Sequence, residues 1–402
     1  MVWILAKVFR PDLKCLITGL NTLFTIGKGS NFPMNTMGVV ILNGPATVDL
    51  FQQLLTERVL SIKNSDGELL YVGLKLQCVK FLTVPFWKED LNFDLKNHVR
   101  YYDYTGALEL PNAPSEMDLH NVLGKLIKLP WKKNQSPWEM LLIQNYKGEN
   151  YTGFVVRLNH VLADGLSIFE MFKLLSKSEW SIPVFKRTKI EISKWQRMGR
   201  ALKTPYDLFS NLLLCYGESK FPTKTMRFDQ VVLSNLVTTI VLPKKNHPGG
   251  LCIHAHLAPA KWPLQYASTK DLMESVQNSM RGITTSAQAT VLGNIFKAAH
   301  FIPTWIAAFN VIIDCINPVK VNFANVPVTT GLDYFEGNEI LELITANTPI
   351  FKNGLLISMG GVNNKQRASF CSNMNMFGSD DIARSLGSLF AEEIQNLVLT
   401  IT

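Results

Sequence analysis

One short stretch of this chain combines residue types and spacing suited to moving a proton: His160-Val-Leu-Ala-Asp164-Gly165. An imidazole has an unperturbed pKa of about 6.5, so at neutral pH it is mostly uncharged and able to accept a proton. An alcohol is a poor nucleophile, and a base within hydrogen-bond reach that takes its proton during attack is worth about 10²–10⁴ in rate. Asp164 is placed to fix the loop, either by accepting backbone N–H groups or by pairing with an arginine. Gly165 would supply a backbone angle closed to other residues. The same letters also fit a surface loop without chemistry.

The elements around the motif decide where it sits. Trp138 to Tyr146 and Tyr151 to Asn159 read as two strands around Lys147-Gly-Glu-Asn150, a hairpin. After Asp164-Gly165, the apolar residues Ile168, Phe169, Met171, Phe172 and Leu175 mark a helix, so the motif lies on a loop between strand and helix. Upstream, Met37 to Leu42 reads as a buried strand, 47–59 as a helix, and Leu69 to Leu82 as a strand. Ser115 with Asp118 three residues on signals the start of another helix. Downstream, strands are expected around Val231 to Leu242 and Leu251 to Leu257, and a helix over Ala287 to Ala299. A hairpin is expected over Phe351 to Val362 and Gln366 to Met376, and a closing helix over Asp380 to Leu399. Strands and helices mixed without strict alternation predict an α+β fold.

Composition narrows the partners. The chain has 402 residues, a net charge of +8 and pI near 9.0. Nucleic acid, anionic lipid and polyanionic coenzymes all suit such a surface. No aromatic-plus-basic pattern of an RNA-binding strand is present, which argues against nucleic acid. Six cysteines without a CxxC pair exclude a zinc ribbon and a disulfide scaffold, and a reducing compartment is the simpler reading. Cys252, His254 and His256 alternate as if on one strand face; an ordinary strand explains them, and no metal is expected. There is no GxSxG elbow, P-loop or GxGxxG. The apolar run before Lys7 is too short for a signal peptide or a span. Residues 186–203 hold seven basic residues and one acidic one, with Ile192, Trp195, Met198 and Leu202 every three or four positions. Such a helix is either solvated or rests on a membrane surface.

Trp138-Glu139, the following hairpin and His160 to Gly165 together resemble the bifunctional wax ester synthase/diacylglycerol acyltransferase family. That family carries P-x-W-E, then a strand, then HHxxxDG. Pro33-Met34 before Gly38, Phe93-Asp-Leu with His98-Val99-Arg100, and Asn325-Val326-Pro327 are similar to further family segments in the same order. The resemblance implies two chloramphenicol-acetyltransferase-like domains with a channel between them. His160 would be the general base, acting on a fatty alcohol or diacylglycerol hydroxyl that attacks acyl-CoA, the co-substrate. Asp164 would be structural, no cofactor or metal would be bound, and Asn159, Trp138 and Asn325 are candidates for the channel wall. The implied organisation is 1–177 for the first domain, 178–225 for a basic crossover, and 226–402 for the second. The implied location is intracellular, on the cytosolic face of the endoplasmic reticulum or plasma membrane, touched through 186–203.

The chain departs from the family pattern in four places. Asn159 replaces the first motif histidine. The Asn-Asp pair of the second half would fall at Gln288-Ala289. Residues 290–324 form a shorter stretch than in relatives, and Val328-Thr-Thr-Gly replaces the usual glycines and proline. These departures motivate an alternative, a lipid or acyl-CoA binding pseudoenzyme of the same fold. A third reading, transfer to soluble acceptors, is disfavoured because the DFGWG signature is absent.

Overall fold

The computed structural model describes residues 2–25, 34–178, 180–181, 193–195, 198–206, 209, 235–244, 247–263, 266–285, 291, 321–349, 354–372, 376–377 and 379–401. The first half runs α1 (Val2–Phe9), β1 (Leu13–Leu16), β2 (Asn35–Asn43), α2 (Val48–Leu55), β3 (Leu76–Phe81) and β4 (Val84–Glu89). It continues with α3 (Leu95–His98), β5 (Val99–Tyr101), α4 (Glu116–Leu126), β6 (Trp138–Tyr146), β7 (Tyr151–Asn159) and α5 (Gly165–Ser176). The second half holds β8 (Asn235–Pro243), β9 (Ala255–Pro263), α6 (Thr269–Thr285), β10 (Val321–Val328) and β11 (Tyr334–Phe335). It ends with β12 (Asn338–Asn347), β13 (Leu355–Val362), β14 (Lys365–Ser372) and α7 (Asp380–Ile401).

The strands form a six-stranded sheet, order β11-β12-β2-β7-β6-β5, and a five-stranded sheet, order β14-β13-β10-β8-β9. A small third sheet, β1-β4-β3, sits beside α1. The six-stranded sheet is buried on both faces, which is why its strands read as continuous apolar runs. Val40, Leu42, Met140, Leu142, Phe154 and Val156 face one core with residues of α2 and α5. Val39, Ile41, Leu141, Ile143 and Val155 face a second core with α4. The period of two along each strand divides these sets.

Several expectations are met closely. The hairpin strands β6 and β7 have the expected bounds, and α4 starts in a capping box between Ser115 and Asp118. The final hairpin turns on Asn363 and Asn364, both at positive φ (57° and 59°), a geometry in which asparagine is tolerated. The expected strand over Leu69 to Leu82 is shorter: a 3₁₀ turn occupies Val72–Lys75, and the strand ends at Phe81. There Leu82 and Thr83, at φ 47° and 69°, turn the chain into β4. No glycine or asparagine marks that turn, so the sequence gives no warning of it. The helix expected over Ala287 to Ala299 and the shortening near 299 lie outside the described residues.

One topological feature cuts across the expected domain boundaries. β12 belongs to the 226–402 segment by sequence, yet it pairs antiparallel with β2 of the first sheet. The chain leaves the second sheet after β10, contributes β11 and β12 to the first, and returns as β13. Ile340 and Leu343 of β12 are buried in the first core, and this burial holds the exchanged strand in place.

Candidate functional site

The strand that delivers His160 is anchored by buried charge. Arg157, 1% exposed, lies opposite Glu139 across the β6–β7 ladder and forms an ion pair with it at 2.8 Å. Arg157 Nη1 also donates to the carbonyls of Leu126 (2.7 Å) and Leu129 (2.8 Å), and its guanidinium stacks 3.9 Å from the Trp131 ring centroid. Glu139 accepts further bonds from Arg100 and from the Tyr104 hydroxyl. A buried charge left alone is very costly, so this ion-paired network fixes the strand end three residues before His160. The neighbouring strand end is pinned by Asn35, fully buried, which donates to Ile127 O and accepts from Trp131 Nε1.

Beyond Asn159 the chain turns sharply. The His160 N–H donates to Met34 O (2.7 Å), and the Leu162 N–H to Asn159 O (3.0 Å). Asn159 Oδ1 accepts from the Val161 N–H at 3.0 Å, so this side chain bends back onto its own loop. Asn21 Nδ2 donates to Val161 O from the other side. His160 is half-buried, and its ring stacks on Phe24, with centroids 4.2 Å apart and planes 12° apart. Its Nδ1 is buried and makes no hydrogen bond. Burial pushes the His160 pKa below its ordinary value; the carbonyls of His160 and Ala163 and the charge of Asp164 oppose that without reversing it. The ring is therefore neutral at physiological pH.

Asp164 does not touch His160; it caps α5. Its Oδ1 accepts from the Ser167 N–H (2.9 Å) and hydroxyl (2.9 Å), and its Oδ2 accepts from the His254 N–H (2.7 Å). The Asp164 N–H donates to Cys252 O (3.0 Å). The aspartate thus ties the motif loop to residues 252–254 of the second half through backbone groups, and among the described residues no arginine partner takes part. Ser167 joins this junction, with its Oγ 2.7 Å from Cys252 O and 3.0 Å from His247 Nε2. Sequence reasoning missed Ser167 and His247, and it singled out Cys252 and His254 without placing them beside the motif loop. The signal for Ser167 was present, because Asp-Gly-Leu-Ser is an N-cap pattern.

The remaining expected site residues distribute unevenly. Gly165 is the first residue of α5, and its φ is not in the left-handed region, so its expected conformational role is corrected. A Cβ there would lie 3.7 Å from Val326 Cγ2, and the glycine faces the Asn-Val-Pro segment of β10. Trp138 is corrected too: it is 4% exposed, donates from Nε1 to Leu74 O (2.7 Å), and stacks on His98 at 4.5 Å. It is a core residue, and His98 pairs with it through the Trp138 carbonyl. Asn325 is exposed, while its neighbour Val326 packs toward the core and the motif. β9 begins at Ala255, so Cys252 and His254 precede the strand. The Cys252 Sγ lies 3.4 Å from His247 Nε2. Among the described residues no group of three His, Cys, Asp or Glu could hold a metal ion.

Comparison with known proteins follows the same lines. Residues 18–207 match the wax ester synthase/diacylglycerol acyltransferase catalytic domain. A probable diacylglycerol O-acyltransferase of Mycobacterium tuberculosis (strain CDC 1551 / Oshkosh) is 27% identical over 112 residues, 28% of this chain and 39% of its own length. A putative diacylglycerol O-acyltransferase of the same strain is 22% identical over 156 residues, 38% of this chain and 29% of its own. The matches span about two fifths or less of these curated relatives. Among solved structures, the wax ester synthase/diacylglycerol acyltransferase from Marinobacter aquaeolei VT8 has a TM-score of 0.56 at 15% identity, covering 96% of this chain and 98% of that one. The first condensation domain of the CDA synthetase has a TM-score of 0.52 at 11% identity, covering 97% and 91%. The resemblance seen in the sequence coincides with the match over residues 18–207, and the α+β fold is shared with both structures.

Proposed function

We propose that the protein is an O-acyltransferase that moves a long-chain acyl group from acyl-CoA to the hydroxyl of a fatty alcohol or diacylglycerol. The observation that carries this is a neutral, half-buried histidine held at a strand end inside the stretch that matches the acyltransferase catalytic domain. Nδ1 is the buried nitrogen, which leaves Nε2 for the substrate. Nε2 takes the proton of the acceptor hydroxyl as its oxygen attacks the thioester carbonyl carbon. The tetrahedral adduct then collapses, the C–S bond breaks, and the imidazolium returns the proton to the leaving thiolate, releasing CoA. Asp164 contributes by holding the loop and α5 in place. No covalent enzyme intermediate is needed.

The same reading includes contact with a membrane surface through 186–203. In its described part, Trp195, Met198 and Leu202 are 78%, 50% and 74% exposed, and Tyr206 and Phe209 continue the stripe at 69% and 62%. Apolar side chains at this spacing among lysines and arginines suit a helix lying in the interface of an anionic bilayer. Among the described residues no helix is long and apolar enough to cross a membrane. The test is product formation by purified protein from a long-chain acyl-CoA with a fatty alcohol or a diacylglycerol. Ester product with either acceptor supports transfer. Tight acyl-CoA binding without product would favour the binding-only alternative.

A further inference from the structure

Asn322 is 3% exposed, and neither its Oδ1 nor its Nδ2 has a hydrogen-bond partner. Buried polar side-chain atoms are nearly always paired, and a whole carboxamide without a partner calls for an explanation. Its place in the fold supplies one. Asn322 of β10 pairs with Leu356 of β13, and Ala324 with Ser358. Paired residues of adjacent strands share a face, as do residues two apart on one strand. On that face Ser358 Oγ accepts from Asn347 Nδ2 of β12 (3.0 Å), and a Cβ on Gly360 would lie 3.5 Å from Thr345 of β12. The face carrying Asn322 therefore looks toward the six-stranded sheet. Phe323, on the other face, packs with Met280 and Ile283 of α6.

The register also fixes which end of the sheet Asn322 occupies. Thr345 of β12 is level with Gly38 of β2 and Val156 of β7; Asn347 is level with Thr36 and Leu158. Passing from Gly360 to Ser358 thus runs toward the end of β7 that leads into His160. Leu356 and Asn322 lie one step further in that direction. Asn322 and His160 stand at the same end of the two facing sheets.

Acyl transfer develops negative charge on the thioester oxygen, and a preorganised donor aimed at it is a large catalytic effect. Four backbone donors of the motif loop are already engaged and do not supply one. The N–H groups of His160, Val161, Leu162 and Asp164 are all engaged, by Met34 O, Asn159 Oδ1, Asn159 O and Cys252 O. We infer that Asn322 is a substrate-binding residue whose Nδ2 donates to the carbonyl oxygen of the acyl thioester. This rests on the acyl-CoA-dependent transfer proposed above.

The test compares binding of a long-chain acyl-CoA with its S-alkyl thioether of equal chain length, which lacks the carbonyl. Wild-type protein, Asn322→Leu and Asn322→Ala are measured by calorimetry. Leucine matches the size and leaves no polar atom buried, so Asn322→Leu should fold at least as well as wild type. Wild type should prefer the thioester about three- to tenfold, both variants should bind the two ligands alike, and kcat should fall about 10²–10³-fold with either acceptor. Retention of the thioester preference in both variants, or its absence from wild type, overturns the assignment. If those outcomes accompany His160-dependent turnover, only the role of Asn322 falls; if no acyl-CoA binds, the transfer reading falls with it.

Discussion

Replacing Asp164 separates a structural aspartate from one that tunes the histidine. Asp164 is 7% exposed, and its carboxylate accepts from two backbone N–H groups, Ser167 at 2.9 Å and His254 at 2.7 Å, and from the Ser167 hydroxyl. In Asp164→Ala the α5 cap is lost, a cost of about 1 kcal/mol. The half-buried His254 N–H loses a charged acceptor, a further cost of about 1–3 kcal/mol. The total is about 2–4 kcal/mol. Asparagine caps a helix as well as aspartate does, so Asp164→Asn should retain the bond to Ser167. Its amide would then meet the His254 N–H donor to donor, and only the second cost should remain. Urea unfolding followed by circular dichroism should therefore rank the proteins wild type, Asn variant, Ala variant in falling stability. Activity at saturating substrate should fall in the same order. Unchanged stability in both variants, with activity lost, would refute this reasoning and make Asp164 an electrostatic partner of His160.

Gly165→Ala should be neutral or slightly stabilising, because the helical φ suits alanine and the new Cβ meets Val326 at an ordinary 3.7 Å; thermal unfolding checks this, and a loss above about 1 kcal/mol contradicts it. His160 is held below its ordinary pKa by burial, so the unfolded chain takes up a proton first as pH falls. Stability from this group is present above about 6.5 and is lost as pH falls through the lowered folded value, and activity should fall over the same window because a protonated ring cannot act as base. A pH–rate profile whose acidic limb has its midpoint above about 6.5 would oppose this. Trp195→Ser with Leu202→Ser should weaken sedimentation with anionic phosphatidylserine vesicles while leaving turnover of a dispersed short-chain substrate unchanged; unaltered vesicle binding would remove this segment from any membrane contact.

The parts legible in the sequence were those governed by local chemistry. The hairpin leading to His160 was visible because its strands are joined by Lys147 to Asn150 and run apolar on both faces. The start of α4 was visible because Ser115 and Asp118 form a capping box. Asp164 as a loop-holding residue was also legible, but the identity of its partners was not. Apart from the Ser167 hydroxyl, those partners are backbone N–H groups, one of them 90 residues away at His254, and backbone groups carry no sequence signature. The transfer of β12 into the first sheet was hidden for a similar reason: an apolar strand does not declare which sheet it joins. Trp138 was misread because a tryptophan beside a motif looks functional, whereas its indole fills the core against His98. Asn322 was invisible because a lone asparagine in a strand means little until its burial and missing partners are known.

The most direct measurement is the rate of ester formation from a long-chain acyl-CoA and a lipid alcohol by wild type and by His160→Ala at equal concentration. A neutral imidazole acting as base implies a fall of about 10²–10⁴-fold, with urea stability little changed because the ring makes no hydrogen bond through Nδ1. A His160→Ala protein that is folded and forms product at a rate close to wild type would contradict the account.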